Sequence, residues 1–76
     1  TALSLRLAAP GPARLSIHDA QGRLLRVLVD GDLPAGETAL RWDGHDAQGA
    51  ALPSGLYFAH LSAAGEARTR KLLLLK

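Results

Sequence analysis

Apolar and polar residues alternate with a period of two through most of this chain, and a half-buried β-strand is the conformation that satisfies such a pattern. Leu3, Leu5 and Leu7 alternate with Ser4 and Arg6, and Pro10-Gly11-Pro12 ends the run. Ala13, Leu15 and Ile17 then alternate with Arg14, Ser16 and His18, and Asp19-Ala20-Gln21-Gly22 forms a turn with glycine at its end. Residues 23–29 are ambiguous, because Leu24, Leu25 and Leu28 would also line one side of a helix. The run is short, ends in β-branched residues and follows a hairpin turn, so it reads as a strand. A loop is expected over 30–36, a strand over 37–42 with Thr38, Leu40 and Trp42 on one face, and irregular chain over 44–53. A strand over 56–62, a hairpin turn at Ala63-Ala64-Gly65-Glu66 and a last strand over 67–75 complete the reading. Six or seven strands at roughly ten-residue spacing, with no helix, match the all-β sandwich or barrel pattern.

Seventy-six residues make one domain, and a chain of this size buries only roughly 60% of the surface that its unfolded form exposes. There is no cysteine, so neither a disulfide nor a thiolate metal site can assist, and stability must come from apolar packing. The hydrophobic content of 47% permits that, although only three aromatics are present and the core is built of small pieces. Cysteine usage does not decide the compartment. Net charge is +2, and seven of the nine basic residues are arginines scattered along the chain, apart from the Arg68-Thr69-Arg70-Lys71 cluster. A nucleic-acid module concentrates basic charge and interleaves aromatics for stacking, which this chain does not do. No apolar run approaches the ~20 residues of a membrane-spanning helix. The first residues lack the charged and apolar regions of a signal peptide, and the start in mid-strand reads as a mature or excised part of something larger.

The stretch from Trp42 to Phe58 places a Trp and a Tyr on neighbouring strands around an Asp/Gly-rich turn, as the organising centre of a small sandwich would. Trp42 and Tyr57 could alternatively form a sugar-stacking platform, but their inward position with Leu40, Ala59 and Leu61 favours packing. Asp43, Asp46 and Gln48 lie in one turn. They are weak candidates for Ca²⁺, because their spacing is not that of a calcium loop and no glutamate closes it. The structural alternative is that Asp43 and Asp46 cap turn amides. His18 and His60 alternate with apolar neighbours and should face outward, and His45 lies in the turn. Their spacing does not favour a metal site. Ser16, Ser54 and Ser62 lack a nucleophile-elbow context, and no glycine-rich phosphate loop precedes a helix. No catalytic residue, cofactor site or enzyme is expected.

Asp19…Gly22-Arg23, Ala35-Gly36, Trp42-Asp43-Gly44, Gly49, Ser54-Gly55-Leu56-Tyr57-Phe58 and Arg70-Lys71-Leu72, in that order and spacing, resemble a known family. The constellation is similar to the immunoglobulin-like domain of the flagellar hook-capping protein, and to C-terminal domains of exported bacterial proteins, including type IX secretion sorting domains. The resemblance covers almost the whole chain. It implies an exported bacterial protein, located in the periplasm, at the cell surface or outside the cell, and it gives architecture before function.

The expectation is therefore an all-β, immunoglobulin- or fibronectin III-like sandwich of about seven antiparallel strands, forming a single domain over 1–76. Its inward set is Leu3, Leu5, Leu7, Leu15, Ile17, Val27, Leu40, Trp42, Tyr57, Ala59 and Leu61. The expected function is a non-catalytic accessory module of an exported protein, acting in C-terminal sorting, attachment or protein–protein assembly. A glycan or cell-wall binding module and a self-assembling subunit of a surface filament are the alternatives. Its partners would be a neighbouring domain, a secretion or attachment component, or copies of itself. The surface expected to meet them consists of Leu56, Phe58, Leu72, Leu73, Leu74 and Leu75. One face of the four-leucine run can join the core, which leaves two leucines facing outward.

Overall fold

The computed structural model describes residues 1–63 and 65–75. Among them the chain forms six strands: β1 (Ala2–Leu7), β2 (Gly11–His18), β3 (Leu24–Leu33), β4 (Gly36–Arg41), β5 (Gly55–Ala63) and β6 (Glu66–Leu74). All pairings are antiparallel. β1 and β4 make a two-stranded sheet, and the other four form a second sheet in the order β3-β2-β5-β6. The strand count is thus six where about seven were expected. Ala64, in the expected hairpin turn between β5 and β6, lies outside the described residues.

The two sheets enclose one core. Leu3, Leu5 and Leu7 of β1 meet Ala13, Leu15 and Ile17 of β2, Tyr57 and Ala59 of β5, and Leu72 and Leu74 of β6. Leu40 and Leu61 pack against this cluster half-buried. Trp42 and Ile17 are fully enclosed, at 1% and 0% exposure, so each contributes most of what its apolar surface can give.

Strand β3 departs from simple alternation. Leu15 pairs with Val29 but Ser16 pairs with Val27, and Ile17 pairs with Arg26 but His18 with Leu24, so two bulges interrupt the ladder. Each bulge inserts one extra residue and reverses the facing of the residues beyond it. Val27, expected inward, therefore stands beside Ser16 on the outer face and is 37% exposed. The extra residues, Leu28 and Leu25, pack on the core in its place. The loop expected over 30–36 is also shorter, because Asp30, Gly31, Asp32 and Leu33 continue β3 against Arg14, Ala13, Pro12 and Gly11. A partner ladder overrides the low strand propensity of aspartate and glycine.

The tetrapeptide Asp-Ala-Gln-Gly occurs twice, at 19–22 and 46–49, and folds the same way each time. In the first copy the Asp19 carboxylate accepts the amides of Gln21 and Arg23, both at 2.9 Å. In the second, Asp46 accepts those of Gln48 and Ala50 at 3.0 and 2.9 Å. Each turn also closes with a glycine amide donating to the aspartate carbonyl. These are Asx-type turns, set by local chemistry.

Gly44 is fixed by two constraints. Its φ of +79° lies in the left-handed region, and a Cβ there would stand 3.3 Å from the Leu74 side chain. Gly44→Ala should destabilise the domain by about 1–3 kcal/mol, and by more than Gly22→Ala, where φ is +86° but the surrounding space is open. Equal urea midpoints for the two variants would show that Leu74 does not depend on the close approach. Trp42→Ala should cost about 3–5 kcal/mol, measured by chemical denaturation, and a melting temperature near that of the unmodified chain would contradict its place in the core.

Candidate interaction surface

Opposed residues in a ladder share a face, so the registers of the four-stranded sheet define its outer surface. One row runs Leu24, His18, Phe58, Lys71, and the next runs Val27, Ser16, His60, Thr69. Leu56 and Leu73 oppose each other beyond the end of β2. Leu56 is 41% and Leu73 60% exposed, Leu24 is also exposed, and Phe58 is half-buried. Leu75, just past β6, is exposed as well. Leu72 and Leu74 do not belong to this surface. They are 6% and 7% exposed core residues, because the alternation of β6 turns them toward the other sheet. Val27 joins the face only through the bulge between it and Val29, whereas Leu24, beyond both bulges, keeps the facing that simple alternation gives it.

A polar chain crosses the same face. The Gly22 carbonyl can only accept, so the Nδ1–H of His18 donates to it at 3.3 Å, and His18 Nε2 lies 2.9 Å from the Ser16 hydroxyl. The rings of His18 and His60 meet edge-on at 4.7 Å, and His60 Nδ1 lies 3.4 Å from the Thr69 hydroxyl. This serine–histidine contact was not legible in the sequence, where Ser16 and His18 are only an i, i+2 pair on a strand. Ser16 is 2% exposed, so its hydroxyl satisfies the histidine and does not meet solvent.

The aromatic centre is closed to ligands. Trp42 and Tyr57 stack edge to face at 5.4 Å, with Trp42 at 1% and Tyr57 at 6% exposure. Their polar atoms are used internally: Trp42 Nε1–H donates to the His45 carbonyl at 3.1 Å, and the Tyr57 hydroxyl donates to the Pro53 carbonyl at 2.6 Å. A sugar cannot stack on either ring.

The carboxylates of the Trp42 turn are similarly engaged. Asp43 Oδ1 accepts from Arg26 at 2.7 Å and from the His45 amide at 3.0 Å, while Asp46 holds its own turn. Among the described residues, no three His, Cys, Asp or Glu side chains gather as a metal site would require. The His45 amide, with Arg26 nearby, holds the Asp43 carboxyl below its ordinary range. The Arg23 side chain and amide do the same for Asp19. A carboxyl depressed in the folded state stabilises the fold above its unfolded pKa, and that contribution is lost as pH falls through the folded value. The double variant Asp19→Asn, Asp43→Asn should therefore be less stable than the unmodified chain at neutral pH and converge on it in acid. Urea midpoints across pH would read this, and a gap of constant size would contradict the native-state bias.

The architecture has relatives among solved structures. FlgD from P. aeruginosa superposes with a TM-score of 0.70 and 26% identity, over 96% of this chain and 58% of that one. PorZ, described as an essential bacterial surface component of the type IX secretion system of Porphyromonas gingivalis, superposes with a TM-score of 0.62 and 20% identity, over 96% of this chain and 9% of PorZ. The chain thus spans little more than half of the first protein and a small part of the second. No curated protein matches it significantly. The family model of the FlgD Ig-like domain matches residues 1–66, and with an immunoglobulin-like two-sheet sandwich already in place, the chain belongs to that family.

Proposed function

We propose that this domain is a non-catalytic assembly module of an exported bacterial protein, acting in sorting, attachment or protein–protein assembly through the outer face of its four-stranded sheet. The observation that carries the reading is the opposed, exposed pair Leu56 and Leu73 with Phe58 beside it and Leu75 beyond. Single exposed leucines are ordinary, but a contiguous group on one flat sheet face suits a protein partner. The ladder already fixes the backbone that carries them, so ordering on binding is confined to the side chains. Support also comes from the kinship to FlgD and from the fold shared with PorZ, a surface component of a secretion system. The Trp42–Tyr57 stack is buried, so recognition by that aromatic pair is closed.

The test is a triple variant, Leu56→Ser, Leu73→Ser and Leu75→Ser, fused to a reporter and produced in the encoding bacterium. Its urea midpoint should stay close to that of the unmodified fusion, since exposed positions rarely move stability by more than about 0.5 kcal/mol. Retention of the reporter at the cell surface should fall several-fold. Equal retention of the two fusions would remove the outer face from the assembly role.

A further inference from the structure

We infer that the domain carries a second binding site, an edge-strand groove between β1 and β6 that takes an extended acidic peptide by strand addition. Among the described residues β1 is paired on one side only, with β4. Thr1 and Trp42 exchange both backbone hydrogen bonds at 2.9 Å. In an antiparallel pair such bonds recur at every second residue, so Leu3, Leu5 and Leu7 bond to β4. The amides and carbonyls of Ala2, Ser4 and Arg6 point to the open side. That edge is six residues long, about 20 Å of strand.

Beneath the edge lies a groove of about 670 Å³, within the ~300–1,000 Å³ of ordinary ligand clefts. Leu5, Leu7, Leu15, Leu61 and Ala63 give it apolar walls. Its far rim is basic. Arg70 opposes Ala59 and Arg68 opposes Leu61 across the β5–β6 ladder, so both arginines stand on the core-facing side of β6. Both are nevertheless exposed, and among the described residues β6 has no further strand beside it. With Arg6, the lining holds three arginines against one glutamate, Glu66, which Arg68 meets at 3.6 Å.

Unsatisfied strand edge, apolar floor and cationic rim together specify the occupant. It is a partner segment in extended form whose groove-facing residues, at every second position, include aliphatic ones against the leucines and carboxylates against Arg68 and Arg70. Backbone pairing would supply affinity, and the alternate side chains specificity. A second copy entering through its own β6 edge is disfavoured, since that strand brings Arg68, Arg70 and Lys71 against like charge. Inward charges on an edge strand can also serve only to discourage pairing, and that role predicts no binding at all.

The probe is an acetylated octapeptide in which valine and glutamate take turns at every second position with serine between them, so that both share one strand face, titrated into the isotopically labelled chain. Amide shifts and slowed hydrogen exchange at Ala2, Ser4 and Arg6 are expected, and the same octapeptide with lysine in place of each glutamate should leave them unmoved. Arg68→Glu with Arg70→Glu should weaken binding about tenfold or more, the scale of opposed rim charges turned repulsive. The outer-face variant with Leu56→Ser and Leu73→Ser should bind normally, which separates this site from the surface proposed above. No response at the three amides, equal binding of the lysine peptide, or a response confined to the outer face would each overturn the inference. Protection of the same amides by concentration alone, without peptide, would overturn it in favour of self-pairing.

Discussion

The seating of Trp42 is the constraint on which the other contacts converge. It is the first residue after β4, and its backbone pairs with Thr1 while its side chain passes into the core. Its indole N–H is satisfied by the His45 carbonyl, three residues on, so the adjoining turn folds back over the ring. Gly44 lets that turn approach Leu74 of β6, and Tyr57 of β5 closes the ring's other side. One aromatic thus joins the two-stranded sheet, the turn and the far half of the larger sheet.

The turn is held from outside by charge. Arg26 reaches from β3 to Asp43 and to the His45 carbonyl, and the Ala47 amide donates to the Leu25 carbonyl at 3.0 Å. The ion pair is partly exposed and adds little energy alone. Its value is positional, because it fixes the turn that carries the carbonyl accepting from Trp42. The bulges in β3 make this possible by bringing Arg26 opposite Ile17, at the end of the sheet nearest the turn.

A two-stranded sheet facing a four-stranded one cannot cover it completely. The uncovered corner is where β6 carries Arg68 and Arg70 in place of apolar residues, while the part of β6 beneath the core carries Leu72 and Leu74. One strand therefore changes character along its length: basic where the other sheet ends, apolar where it begins. The larger sheet also has a free outer face, and there the exposed leucines and the His18–His60 pair lie side by side. The two surfaces are separated by the thickness of one sheet.

Much of this was legible in the sequence because strand alternation and turn chemistry are local. The five regular strands follow the period-two pattern, and the Asp-Gly turns follow from side-chain capping of nearby amides. The inward placement of Trp42, Tyr57, Leu40 and Ile17 follows from the same alternation and from the need of a small core for bulk. The facing of β3 was not legible, since a bulge depends on the partner strand and leaves no local mark; Val27 moved outward for that reason. The continuation of β3 through Asp30-Gly31-Asp32 likewise rests on pairing with β2. In the four-leucine run, alternation set two leucines inward and two outward. Only the position of the facing sheet decided that Leu72 and Leu74 are the buried pair. The closeness of Ser16, His18 and His60, and the open groove below β1, are also tertiary facts, because they depend on which strands become neighbours and where one sheet stops short of the other.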